Sequence, residues 1–333
     1  MIKRNETIDY VKGLAIISVI SAHCNTILDS DNRVELLFSL LLQNIGTLGV
    51  ICFFVISGML FHYPGKNMRL FFKKKISNII IPWIISATCI YLYVCLRKPP
   101  ITLKGYLNFV FGNGSYCYYL TVLMVLYVLF TFLPFMRKKL ALIVCEGITV
   151  ICAAYFYNMG GVNPYLNIFN WIGYFALGVQ ISENQEIWTR LKQRIVPKFS
   201  FWTILSSGLY TFVLIYQLYN QKAGSYWNGI NVIFCWIGAI TFVLIAIMIE
   251  KSKDNILRRM IFRAGVDSFG IYIWHMPVAG IVARFMCCKP LNGLVLIRPI
   301  IVLLIMLTVF IVTKKIIFKM KLDKYLSFLG LRM

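Results

Sequence analysis

Ten apolar runs, each long enough to cross a bilayer, constrain this chain more than any other feature. A spanning helix needs roughly 17–25 mostly apolar residues. Such runs fall at 11–28, 45–62, 77–96, 116–135, 140–157, 165–182, 200–219, 229–249, 265–286 and 295–313. Hydrophobic residues make up 59% of the 333 and charged residues 14%, against about 45–50% and about 25% in soluble domains. That balance excludes a disordered chain, and ten Cys scattered through apolar runs exclude a small disulfide scaffold. The expectation is an all-α polytopic membrane helical bundle, one integral-membrane domain over residues 1–333 with about ten transmembrane helices. Trp83, Tyr93, Tyr116, Tyr155 and Tyr157 sit near run ends, as in an interfacial aromatic belt. The first run reads as a retained helix rather than a signal peptide. It has no small-x-small cleavage site, holds His23 deep inside, and begins with Asp9 and Lys12. Stretch 35–43 reads as a short helix on the outer surface.

The formal charge of +22 raises nucleic acid as a partner, so the positions of the basic residues decide. With the N-terminus inside, 26 of the 34 Lys and Arg fall on the inner side: Lys3, Arg4 and Lys12, and those in 66–75, 137–139, 190–198, 251–263 and 314–332. This asymmetry predicts both termini inside. It accounts for the charge without nucleic acid, and the same residues suit anionic membrane lipids. The longest breaks are 97–115 outside, with a Gly112-Asn113-Gly114 turn, and 183–199 inside. No soluble domain follows the tenth run, so chemistry is expected within or at the edges of the bundle.

Ionisable groups at membrane depth are costly and mark functional candidates. Here they are His23, Glu146, His275 and Arg298, with Lys12 and Asp267 near inner helix ends. Lys12 and His23 are eleven residues apart, which returns to within about 20° of one helix face and about 16 Å deeper. Ile16 and Val19 lie between them on that stripe. A neutral imidazole there is either a general base toward a hydroxyl or a hydrogen-bonded clamp to a neighbouring helix. Ser268, Tyr272 and His275 share a face by their i, i+4, i+7 spacing, with the same two readings for His275. Two histidines at similar depth suggest one polar chamber. Glu146 orients a histidine, carries a proton or pairs with Arg298, the ion pair being the favoured reading. His62 is expected at the interface. Three His without Cys or carboxylate at ligand spacing argue against a metal site, and the Cys287-Cys288 pair matches no metal pattern. The run 68–78, rich in Lys and Phe, reads either as a membrane-surface helix or as a phosphate-binding lip.

Several stretches together resemble the acyltransferase-3 family of bacterial integral-membrane acyltransferases. Lys12-(x10)-His23, with Arg4, Asp9, Gly13 and Ala15, is similar to its N-terminal pattern. Gly49-Val50-x-x-Phe53-Phe54-Val55-Ile56-Ser57-Gly58 resembles its second-helix signature, and Lys75-x-x-Asn78 ahead of Pro82 its basic pair. Tyr118-Tyr119-Leu120, Phe175-Ala-Leu-Gly178 and Ser268-x-x-x-Tyr272-x-x-His275 follow in the family's order. Asn78 stands where a second basic residue is expected, and Tyr118 where Trp is common.

The resemblance implies a ten-helix bundle in the bacterial cytoplasmic membrane. Such a bundle takes an acyl group, usually acetyl, from acyl-coenzyme A inside and delivers it to a hydroxyl of a cell-envelope polysaccharide or lipid-linked sugar. On that reading Lys12, Arg69, Lys73, Lys74 and Lys75 hold the phosphates of coenzyme A, and its thin arm follows the Lys12–His23 stripe. His23 takes the hydroxyl proton, while His275 and Tyr272 stabilise the oxyanion or orient the acceptor. The competing reading is a transporter or exporter of a small polar solute or glycan that uses the same histidines as a proton relay. Neither an inverted repeat nor paired broken helices support it.

Overall fold

The computed structural model describes residues 6–24, 33–96, 100–158, 161, 163–184, 186, 189–190, 193, 196–221, 226–227, 230–286 and 294–331. Arg4, the last residues of the first predicted run and the Cys287-Cys288 pair lie outside them. All regular elements among the described residues are helical. In chain order the main helices are α1 (Glu6–Cys24), α2 (Arg33–Gly46), α3 (Leu48–Met59), α4 (Met68–Lys75), α5 (Ile81–Cys95), α6 (Leu103–Phe111) and α7 (Tyr118–Phe132). They continue with α8 (Lys139–Ile151), α9 (Ile172–Glu183), α10 (Phe199–Tyr219), α11 (Ile230–Lys251), α12 (Ile256–Val266), α13 (Ser268–Met286) and α14 (Arg298–Lys319). Eight continuous helical stretches among the described residues have the length and hydropathy to cross a membrane. Each predicted run contains a helix, and the fourth and sixth runs hold the shorter α7 and α9.

Helix α1 is the axis of the bundle, packed against α2, α3, α11, α12, α13 and α14. Its sequence dictates this position. Apolar and small residues occupy every face, so no side is suited to water, and Gly13, Ala15, Ser18 and Ser21 are all buried. Small side chains let helices approach closely where lipid supplies little hydrophobic driving force. A Cβ on Gly13 would fall on the Ile261 carbonyl of α12, and one on Gly265 on the Asp9 carbonyl of α1.

Stretch 35–43 is not a surface helix. It belongs to α2, which buries Leu40, Leu42 and Asn44 against its neighbours and runs into α3 at Thr47. The break between α2 and α3 comes from α1: Ser18 Oγ donates to the Ile45 carbonyl at 2.7 Å and accepts from the Gly49 N–H at 2.9 Å. Those two groups would otherwise bond each other along the helix, so the serine is inserted into the ladder.

A second irregularity precedes α5. Pro82 has no N–H to give to the residue four back, and the chain answers with a π-helical stretch over Ile76–Ile80 in which the Ile81 N–H bonds the Ile76 carbonyl. Run 68–78 therefore comprises α4 and the start of this π-helical stretch, continuous with the third span. The break at 97–115 also differs from expectation, since it contains α6. Thr102 caps α6 by accepting from the Gly105 N–H at 3.0 Å. Gly112 ends it at φ 83°, where a Cβ would strike the Tyr118 backbone.

Candidate active site

Two cavities open toward opposite ends of α1. The first, about 640 Å³, has Lys12, Lys74, Lys75, Asn78, Ser57 and Tyr272 in its wall. The second, about 850 Å³, is lined by His23, Arg284 and Asn163 together with Tyr116, Tyr118 and Tyr165. Lys12 and His23 thus share a helix face but open to different cavities. The stripe between them is packed rather than open, because Ile16 is fully buried.

The basic run divides according to helix face. Lys74 and Lys75 turn into the first cavity, whereas Arg69 and Lys73, four apart on α4, are exposed away from its wall. Lys75 sits with Nζ 3.7 Å from the Tyr127 ring centroid and 5.2 Å from that of Phe71, a cation held over two aromatic faces. Lys12 Nζ lies 3.5 Å from Asp9. The C-terminal segment closes one side of this cavity with Ser327, Gly330 and Leu331, and the Trp274 indole donates to the Leu329 carbonyl at 3.3 Å.

A wall of rings separates the cavities. The His23 and His275 centroids are 5.1 Å apart, His275 and Tyr116 5.3 Å, Tyr116 and Tyr272 5.7 Å, and Tyr272 and Tyr119 5.5 Å. Tyr119 shares a 3.0 Å hydrogen bond with Ser57 of α3. Pro277 explains much of this arrangement. It leaves the Ile273 carbonyl of α13 without its helical donor, and the Tyr116 hydroxyl supplies one at 3.0 Å. Tyr272 returns the contact by donating its hydroxyl to the Tyr116 carbonyl. Because Tyr272 OH is engaged there, it is not aimed at a reacting carbonyl in this state.

His275 is wholly buried, and its Nδ1 lies 2.7 Å from the Tyr272 carbonyl. A carbonyl can only accept, so Nδ1 carries the proton and Nε2 of the neutral ring is an acceptor. Nε2 is buried with no hydrogen-bond partner among the described residues. A buried acceptor of this kind is costly and ready for a donor such as a substrate hydroxyl or a neighbouring imidazole. His23, by contrast, is exposed to the second cavity in the last described turn of α1. The two histidines therefore adjoin without sharing the one chamber expected, His23 at the cavity surface and His275 behind it.

Tyr116→Phe will leave the Ile273 carbonyl without its buried donor and cost about 1–3 kcal/mol. Thermal unfolding in detergent measures this, and an unchanged midpoint would mean that the carbonyl finds another partner.

Other sequence candidates lie elsewhere. Glu146 on α8 packs beside Gly173 of α9, while buried Arg298 belongs to α14, which packs on α13 and α1. Asp267 accepts from Lys314 at 2.7 Å, tying the start of α13 to the end of α14. His62 is exposed and lines the first cavity. No group of three or more His, Cys, Asp and Glu suited to a metal ion occurs among the described residues. Sequence reasoning missed the role of Tyr116; Pro277 four residues after Ile273 was the available signal that a carbonyl in α13 needs a donor from outside its helix.

No curated protein and no solved structure matches this chain. A family model described as an acyltransferase domain matches residues 5–314, nearly the whole length, including Lys12, His23, Lys75 and the Ser268–His275 stretch. This membrane-spanning chain, with its paired histidines between two cavities, belongs to the acyltransferase-3 family.

Proposed function

We propose that this membrane acyltransferase moves an acyl group, in the first instance acetyl, from acyl-coenzyme A in the basic cavity to a hydroxyl presented in the second cavity. The acceptor is a cell-envelope polysaccharide or lipid-linked sugar, and the basic end faces the cytoplasm of a bacterial cell. One observation carries the reading: a cavity walled by Lys12, Lys74 and Lys75 stands back to back with a second cavity, and His23 and His275 lie between them. Ammonium groups attract the phosphates of a nucleotide thioester. The apolar and aromatic wall above them, including Leu120 and Leu123, suits a thin pantetheine-like arm.

His23 acts as general base. It takes the proton of the acceptor hydroxyl as the oxygen attacks the thioester carbonyl carbon. The tetrahedral intermediate collapses by breaking the carbon–sulfur bond, and the leaving thiolate recovers the proton from His23. His275, held through Nδ1, offers the Nε2 lone pair to orient the hydroxyl or share the proton on His23. For the thioester carbon to reach His23, the Tyr116–Tyr272 contact must give way, which frees the Tyr272 hydroxyl to donate to the oxyanion. Tyr272 therefore serves both as part of the closed wall and as the donor once the wall is crossed.

Titrating detergent-purified protein with acetyl-coenzyme A by calorimetry tests the donor. Saturable binding by both wild type and His23→Ala is expected. No binding by folded wild type overturns the donor assignment and turns attention to solute transport.

The division of the basic run predicts unequal effects. Lys75→Glu will raise the apparent KM for acyl-coenzyme A by about tenfold, about 1.4 kcal/mol, with kcat changed less. Arg69→Glu, outside the cavity wall, will raise it by about threefold or less. Steady-state kinetics with varied donor decides. Equal effects would mean diffuse attraction rather than a defined phosphate site.

A further inference from the structure

A third cavity, about 380 Å³, opens on the flank of the bundle between α5, α13 and α14. Trp274, Val278, Met306 and Phe310 form much of it, and no charged side chain is among its described lining residues. Cys89 and Val309 are exposed at its edge. A dry apolar cleft on spanning helices suits hydrocarbon rather than water.

The cleft adjoins the site. Ile90, Tyr93 and Pro277 form part of its wall and also part of the wall of the cavity that holds His23. Along α13, Pro277, Gly280 and Arg284 follow one face by their i, i+3, i+7 spacing, and all three line the His23 cavity. The helix rises about 10 Å between the first and the last. One face of one helix therefore leads from an apolar cleft at Pro277 to a guanidinium at Arg284, with no side chain on Gly280 to block the way. Arg284 and His23 are the residues of that wall drawn from Lys, Arg, His, Asp and Glu, so no carboxylate opposes an anion among the described lining residues.

Resting on the reaction proposed above, we propose that the acceptor is a membrane amphiphile with an anionic, phosphate-type head. Its hydrocarbon chain lies in the α5–α13–α14 cleft and its head group meets Arg284, which brings the hydroxyl-bearing part beside His23. Guanidinium pairs with phosphate oxygens through parallel N–H donors, a geometry that Lys or Gln does not reproduce. A soluble glycan would make no use of the apolar cleft, and a neutral lipid none of the arginine.

The test uses the full chain in phosphatidylcholine nanodiscs with a benzophenone-tagged decyl phosphate, mapping photo-adducts by mass spectrometry. Adducts are expected on the peptides carrying Cys89 and Val309. Decyl phosphate should displace them at concentrations about tenfold below those of decanol or inorganic phosphate. Arg284→Gln should raise the required concentration about tenfold, and Val309→Trp, which fills the cleft from an exposed position, should remove the adducts. Equal competition by decanol would reduce the cleft to a place where any hydrocarbon partitions and overturn the proposal. Equal competition by inorganic phosphate would mean a free-anion site and also overturn it, as would adducts that survive Val309→Trp. Cross-linking needs no acyl donor. Failure of donor binding would therefore sink the reaction while leaving the lipid site intact, and failure of cross-linking would do the reverse.

Discussion

His23→Ala will lower acyl transfer by about 10²–10⁴-fold, the usual contribution of a positioned general base, while folding and donor binding persist. The side chain opens to a cavity, so its removal deletes ring contacts to His275 and Tyr116 without emptying a packed core. Transfer to the hydroxyl acceptor and thermal unfolding are measured together. A variant with most of its activity intact would remove His23 from the base role and leave the buried Nε2 of His275 as the imidazole to test next. A variant that loses both activity and its unfolding midpoint would mean that His23 clamps the bundle.

Leucine at Gly58 or Gly178 will have an equally large effect through a different cause. Helices α3 and α9 cross with backbones in contact at these two residues. A Cβ on Gly58 would land on the Phe175 carbonyl oxygen, and one on Gly178 on that of Val55. The obstacle is backbone on both sides, so no side-chain rotation relieves it. Overpacking costs about 1–3 kcal/mol where neighbours can shift, and here a whole helix must move. Each variant is expected to lose about 3 kcal/mol or more and to run as aggregate in size-exclusion chromatography of detergent extracts. Gly147→Leu is the control, because nothing lies within 4 Å of the Cβ position there. Monodisperse Gly58→Leu protein with wild-type stability would show that the close approach of α3 and α9 is dispensable.

This crossing gives physical content to two of the motifs. The Gly58 that ends the second-helix signature and the Gly178 of the Phe175–Gly178 element are separated by 120 residues of sequence, yet they are two halves of one backbone contact. Gly49, at the head of the same signature, packs on Ala15 of α1 and gives its N–H to Ser18. These glycines carry packing, while the positions proposed to carry chemistry are His23, His275 and the lysines. Spacing within each motif could not separate the two kinds, because a glycine reads the same whether a helix or a ligand approaches it.

The all-α membrane bundle and the pairing of the two histidines were legible from the chain. Apolar length is a local property, and the cost of an imidazole at membrane depth holds whatever surrounds it. Helical periodicity likewise placed Lys12 and His23 on one face of α1. Periodicity, however, describes a helix about its own axis and says nothing of what stands opposite. Stretch 35–43 was therefore read as a surface element although α1 buries it, and the Lys12–His23 stripe as an open path although Ile16 closes it. The division of Lys74 and Lys75 from Arg69 and Lys73 depends on which face of α4 meets Tyr127 of α7. The bond from Tyr116 to the Ile273 carbonyl joins residues 157 apart. Local sequence determined where helices form and which of their residues are too costly to be idle. Packing between distant helices decided which cavity each of those residues faces, because that depends on contacts no single helix encodes.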